Sequence, residues 1–336
     1  MATIVQKFGG TSVATPQARE ALLEHVKKCK EEGNNVVVVV SAMGRTGDPY
    51  ATDTLIGLLE QISPVIVPKK KDLLMSCGEI ISCTLISHLL ETNNIPSEAL
   101  TGSQAGILTN TNFNNSEIIN IETATIENYL KDGKVVVIAG FQGTTANGEI
   151  TTLGRGGSDT TAVALGGYLN ATRVDIFTDV AGIAKVDPRI VSTAPYLDSI
   201  SYDDMYKLAY HGAKVIHPRA VLTAQKYNVP VRIVSTFSDG LGTKISAEST
   251  RINHKIFFMA LEKEVEICNS VEPIGKLFIS FDVTKKNEIE IELQTFFARS
   301  NFIVQNVIWN NNSVNIFVAS SKLDEFVRSL YSYFHS

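Results

Sequence analysis

Short runs rich in Val, Ile and Phe alternate with longer segments of helical composition through the first 230 positions of the chain. Residues 3–8, 36–41, 135–139 and 174–177 are such runs, bounded by turn residues, and they predict buried strands. Residues 16–32, 72–91, 116–131, 158–169 and 218–227 have helical length and composition and predict the helices between and after them. This alternation predicts a layered α/β fold, with a mainly parallel sheet covered by helices on both faces. Ligands of such sheets bind beyond the carboxyl ends of the strands, which is where Lys7, Ser41, the turn at Gly140 and Thr178 fall.

After Pro230 the pattern changes. Residues 236–255 are polar and carry Gly240 and Gly242, as expected of a linker, with a boundary near 250. Beyond it the pattern predicts strands at 257–267, 277–283, 302–309 and 314–318, and helices at 287–299 and 323–334. The last helix sets Leu323, Phe326, Val327, Leu330, Tyr331 and Phe334 at intervals of three and four, one apolar stripe. The expected organisation is a domain over 1–245 and a small α+β domain over 256–336, with two helices on one face of four strands. The uncovered face and edges of that small sheet, together with its high aromatic content, predict a homodimer paired through this region.

Chemistry gathers at the expected strand ends. Lys7-Phe8-Gly9-Gly10-Thr11-Ser12 places a lysine at the end of a strand and two glycines at the turn into a helix. Bare backbone N–H groups beside a cation suit a polyphosphate, but the lysine precedes the glycines, so this is no P-loop. Leu153-Gly154-Arg155-Gly156-Gly157-Ser158-Asp159 opens a second helix. It predicts an anion-binding turn with Ser158 as the helix cap and Arg155 as a planar fork for carboxylate or phosphate. Glu79, within Ser76-Cys77-Gly78-Glu79, lies in an apolar helical stretch and needs a cationic partner, either a substrate ammonium or a protein lysine. Arg155 and Glu79 together offer the opposite charges that an α-amino acid carries.

Thr178-Asp179-Val180 follows a buried strand and precedes Asp187-Pro188-Arg189. This segment suits a nucleotide site and equally suits an ordinary turn with a structural Asp-Pro. Lys214 and Val215 lie in the later segment from His211 to Arg219, where the two histidines, six residues apart, lack the spacing of a helical metal pair and read as structural.

Composition narrows the classes further. A net charge of −5 gives no global attraction for nucleic acid, so anions must be bound locally. The longest pure apolar run, at 36–40, falls far short of the roughly 20 residues that span a bilayer, and the chain enters a strand without a signal-like leader, so a cytoplasmic protein without membrane contact is expected. Cys29, Cys77, Cys83 and Cys268 lack paired spacing and read as reduced thiols.

Taken together, the segments at Lys7, Ser41-Ala42-Met43-Gly44, Ser76, Gly154, Thr178 and Gly212-Ala213-Lys214-Val215 resemble the amino acid kinase family and, within it, the aspartate kinases. Order and approximate spacing agree from residue 1 to about 245, and more weakly to the end. The resemblance implies a three-layer αβα amino acid kinase fold followed by one ACT-like module. It also implies phosphoryl transfer from MgATP to the β-carboxylate of L-aspartate, toward lysine, threonine and methionine. It assigns catalysis to Lys7 and Asp159, and aspartate binding to Ser41, Thr52, Glu79, Arg155 and Ser158. Nucleotide binding falls to Lys7, Gly9, Gly10, Thr11, Ser12, Thr178, Asp179, Arg189, Lys214 and Val215. Magnesium is expected to arrive with the nucleotide, without a protein cage of its own.

The chain also departs from the family. The C-terminal element order reads ββαββα in place of βαββαβ, so the last strand is either missing or supplied from upstream. Ala184 stands where several members carry a large residue near the nucleotide. With one module per chain, an effector pocket would form between subunits or be absent, which predicts weak or no inhibition by lysine or threonine. The alternatives are a sister kinase for another carboxylate and a silent regulatory paralogue.

Overall fold

The structure, a computed structural model, describes residues 1–248, 255–266 and 272–335. Cys268, part of the expected linker and the end of the expected strand at 257–267 lie outside the described residues. The chain forms two compact units, Met1–Gly182 with Val215–Glu248, and Ile183–Lys214 with Ser249–Ser336.

The first unit begins with β1 (Thr3–Phe8), α1 (Gly10–Ala14), α2 (Pro16–Glu31), β2 (Asn35–Val40), α3 (Thr52–Glu60) and α4 (Pro68–Thr92). It continues with β3 (Ser97–Leu100), β4 (Ile107–Thr109), β5 (Ile118–Ile121), α5 (Ala124–Lys131), β6 (Val135–Ala139), β7 (Gln142–Thr144), β8 (Ile150–Thr152), α6 (Gly157–Tyr168) and β9 (Arg173–Thr178). β10 (Ser199–Ser201) and α7 (Tyr202–Tyr210) belong to the second unit, whereas α8 (Pro218–Tyr227), β11 (Val231–Ser235) and β12 (Thr243–Ser246) belong to the first.

Within the first unit the main sheet runs β12-β11-β9-β1-β2-β6-β3. Every neighbouring pair from β11 to β3 is parallel, and β12 alone pairs antiparallel. Val36 to Val40 are fully buried, as a β-branched run must be when helices cover both faces. Ile4 and Phe8 face the side where Leu22 and Val26 of α2 and Cys83, Ile86 and Leu90 of α4 complete a core. Val5 and Lys7 alternate to the other face, where α6 packs on β1. By length and composition α4 could cross a bilayer, yet half of its apolar stretch is buried and it serves here as a core helix. Burial pushes the thiols of Cys29 and Cys83 up to about 11 and about 12, which leaves them inert.

Two expectations fail in this unit. The segment 116–131 is helical only over α5; its first part forms β5, an edge of a second small sheet ordered β5-β4-β7-β8. Ser116 is buried and its amide and hydroxyl both donate to Thr152 O, which holds the chain extended. The expected linker at 236–255 contains β12, which pairs with β11 through Thr243, Lys244 and Ile245 and buries Thr243, Ile245 and Ser246. Its polar composition hid a strand whose sequence has only one apolar residue.

The second unit ends in β13 (Ile256–Val265), β14 (Ile274–Phe281), α9 (Lys286–Arg299), β15 (Val304–Trp309), β16 (Ser313–Ala319) and α10 (Leu323–His335). This is the ββαββα order read from the sequence, folded as an antiparallel sheet β13-β14-β16-β15. In a βαββαβ module the closing strand lies beside the first; here β13, supplied from upstream, takes that edge beside β14. Leu277, Ile279, Phe281, Val314 and Ile316 form one core with Ile289, Leu293 and Phe296 of α9 and with Phe326, Val327 and Leu330 of α10.

Val186, Ile190, Val191 and Ala194 join that same core. Lys185 O accepts the Met259 amide on the outer side of β13, and the His211 ring stacks on Phe278, 3.9 Å away, on the face opposite the helices. Residues 183–214 therefore cluster with the C-terminal sheet, a return that a contiguous domain over 1–245 did not anticipate. They also cover surface that had been expected to lie bare.

Candidate active site

The carboxyl ends of β1, β2 and β6, the amino end of α6 and one face of α4 enclose a cavity of about 540 Å³ in the first unit. Lys7, the penultimate residue of β1, sits 2.7 Å from Asp159 in the first turn of α6. Both side chains are nearly buried, and the contact is ionic rather than a well-aligned hydrogen bond. Each charge thus offsets the desolvation of the other while Lys7 keeps N–H groups to offer.

Gly156, at φ 71°, starts α6 in a left-handed conformation, and a side chain there would collide with His217. This early start corrects the expectation that Ser158 caps the helix: the cap position is Gly156, without a side-chain bond, and Ser158 lies in the first turn lining the cavity. The helix dipole and its free N–H groups still point positive potential at the cavity. Arg155 projects beside them, exposed and without a protein partner among the described residues. His217 is structural as expected: its Nδ1 accepts the Arg219 amide, and burial lowers its pKa.

Glu79 lies on the cavity wall, only 2% exposed. Its Oε1 accepts the Ala42 amide at 3.0 Å, and its Oε2 has no partner. Burial pushes the carboxyl up to about 8. Gly78 lets α4 approach this closely, because a Cβ there would stand 2.7 Å from Ala42 and 2.9 Å from Tyr50 O. The partner question left open by the sequence is thereby narrowed: among the described residues no protein cation answers Glu79.

Of the residues singled out from sequence, the cavity gathers Lys7, Gly10, Ser41, Thr52, Glu79, Arg155, Ser158 and Asp159. Gly9 caps α1 and Thr11 lies within it. Ser12 is buried and shares a hydrogen bond with Thr236. Asp179 follows β9 and pairs with Arg45 at 2.9 Å, and Thr178 donates to Asp179. Val215 belongs to the first unit. Arg189 and Lys214 belong to the second, where Arg189 pairs with Asp187 at 2.6 Å. Ala184 bridges Tyr196 within the second unit.

The cavity also holds residues that the sequence reading passed over, among them Asp53, Lys71, Met75, Asn114 and Phe141. Lys71, Met75 and Glu79 are spaced by four on α4, so extending the helical face from Glu79 would have found the other two. Phe141 and Asn114 gave no such signal, since both enter through left-handed backbone at φ 69° and 65°. Among the described residues, no group of three or more His, Cys, Asp or Glu could hold a metal ion.

The arrangement sets Lys7, Lys71 and Arg155 near a helix amino end in one cavity with the carboxyl groups of Asp53, Glu79 and Asp159. The chain belongs to the amino acid kinase family, whose model matches residues 2–235. It is 48% identical over 258 residues to aspartokinase 1 of Bacillus subtilis, covering 76% of this chain but less than two thirds, 64%, of that protein. It is 41% identical to an aspartokinase of Pseudomonas aeruginosa, over 93% of this chain and 74% of that one. Among solved structures, Escherichia coli aspartokinase III in complex with aspartate and ADP superposes with a TM-score of 0.80. That match, at 21% identity, covers 99% of this chain and 100% of the other, and it supports the fold.

Proposed function

We propose that this chain transfers the γ-phosphoryl group of ATP to the β-carboxylate of L-aspartate, giving 4-phospho-L-aspartate, on the path to lysine, threonine and methionine. The observation that carries this reading is the buried, half-satisfied Glu79 in one cavity with the unpartnered Arg155 and the Lys7–Asp159 pair. An α-amino acid fits these charges, its ammonium on Glu79 Oε2 and its α-carboxylate on Arg155. Ser41, Thr52 and Ser158 complete the pocket with hydroxyl groups.

The acceptor carboxylate has a reference pKa of about 4 and is already ionised near neutrality, so the site needs no general base. Its work is to position the reactants and neutralise charge on the transferring group. Lys7 does the latter, oriented by Asp159, with the amino end of α6 adding positive potential. The nucleotide roles of Gly9, Gly10, Thr11, Ser12, Thr178, Asp179 and Val215 belong to the same proposal. A magnesium ion arriving with the nucleotide would be held mainly by phosphate oxygens and water, since no acidic cage is found among the described residues. The reading implies a cytoplasmic enzyme. A homodimer accompanies it, favoured by β15, an edge strand with Ile308 exposed.

Two rival readings fit less well. An N-acetylated acceptor has no ammonium for Glu79, and a silent regulatory paralogue has no need of Lys7, Asp159 and Arg155 in one cavity. Purified protein supplied with MgATP and hydroxylamine should form hydroxamate from L-aspartate well above L-glutamate or N-acetyl-L-glutamate. Preference for either of the others would overturn the acceptor assignment and leave the family intact.

A further inference from the structure

A second cavity, of about 460 Å³, opens on the opposite face of the main sheet from Lys7. Its floor is a polar row running straight across three core strands: Gln6 of β1 registers with Asp175 of β9, which registers with Arg232 of β11. The next row on that face is Phe8, Phe177 and Val234, and Gln6's neighbour on β2 is Val38. A polar row amid such strands is not what the fold requires. Asp175 is fully buried and takes Nε of Arg173 at 3.1 Å, together with Nε and one terminal nitrogen of Arg232 at 2.8 and 2.9 Å. Only the carboxylate is buried; both arginine side chains are about one third exposed, 32% and 30%, and open on the cavity.

The row also leaves binding capacity unspent. Two guanidinium groups share one carboxylate, and with Lys28, Glu32 and Asp239 also in the lining the cavity's formal charges balance, which suits a zwitterion rather than a bare anion. Both terminal nitrogens of Arg173 and the remaining one of Arg232 have no protein partner among the described residues. Gln6 is 3% exposed; its Nε2 donates to His25 O in a long bond of 3.5 Å, and its Oε1 is without a partner. A buried acceptor left empty beside unspent guanidinium N–H groups asks for a ligand with both an anionic group and an N–H donor.

We propose that this cavity is a second ligand site, for a free amino acid, with its carboxylate on Arg173 and Arg232 and its ammonium toward Gln6 Oε1. Consecutive strand residues face opposite sides, so the site is separated from Lys7 by the thickness of β1. The inference does not depend on the identity of the acceptor at the first cavity.

Calorimetric titration of the full chain with each proteinogenic amino acid except aspartate, and separately with inorganic phosphate, tests it. At least one amino acid should bind wild type and Arg155→Ala alike, and more tightly than phosphate. Gln6→Met, which removes the acceptor at similar volume, should weaken that binding by about tenfold or more. Absence of any binding, binding unchanged in Gln6→Met, binding lost in Arg155→Ala, or phosphate matching the best amino acid would each overturn the assignment. If Gln6→Met does not fold, the imidazole resonance of His25, identified through His25→Gln, takes its place. A shift on titration supports the site, and a resonance that stays fixed refutes it.

Discussion

A carboxyl group enclosed by apolar helix and loop is tolerable in two states, protonated or paired with a cation, and Glu79 can use both. With its folded pKa raised to about 8 by burial, the ligand-free protein carries a proton there that the unfolded chain releases near the ordinary carboxylate value. The stability this confers is complete below that ordinary value and is lost as pH rises through about 8. A bound ammonium reverses the preference, since it favours the ionised form and expels the proton. Aspartate affinity should therefore rise with pH and level off near 8, with release of close to one proton per site. Calorimetry in buffers of different ionisation enthalpy measures that proton directly. Glu79→Gln should weaken binding and abolish both the release and the slope; an unchanged slope would remove Glu79 from the ammonium role. Glu79 was legible in the sequence because a lone carboxylate in an apolar stretch is costly, and Lys7, Arg155 and Asp159 because they stand beside glycines at strand ends. Phe141 was not, since nothing in its neighbours announces a left-handed backbone at an aromatic residue.

At the level of elements, the sequence was clearest where burial on both faces forces a continuous β-branched run, as in β2 and β6, and where Pro16 and Pro218 start helices. It was least clear where strands are short. β4, β7 and β8 have three residues each, too few for any period to show, and they form the small sheet that carries the chain toward Arg155. β5 and β12 failed to register for a related reason, one hidden in an apolar run of helical length and the other in a polar segment. The order of the C-terminal elements was readable from their periodicity. The place of β13 as the strand that completes the sheet was not, because strand order depends on pairing rather than on any local pattern.

The whole molecule consists of two units whose composition in sequence is interleaved, residues 183–214 having their apolar partners in the C-terminal core. His211 and Lys185 cover part of the sheet face and the β13 edge, so β15 is the edge left for pairing with a second copy. Light scattering at micromolar concentration should give twice the chain mass, and a monomer would contradict the dimer. The most direct test of the central claim, that one cavity positions an amino acid against Lys7 for phosphoryl transfer, is the steady-state kinetics of Lys7→Ala and Arg155→Ala with MgATP and L-aspartate. Removing one preorganised charge-stabilising group commonly costs about 10²-fold or more in rate. Lys7→Ala should therefore lose kcat on that scale with little change in the KM for aspartate, whereas Arg155→Ala should chiefly raise that KM. Near-normal turnover in Lys7→Ala would contradict the account.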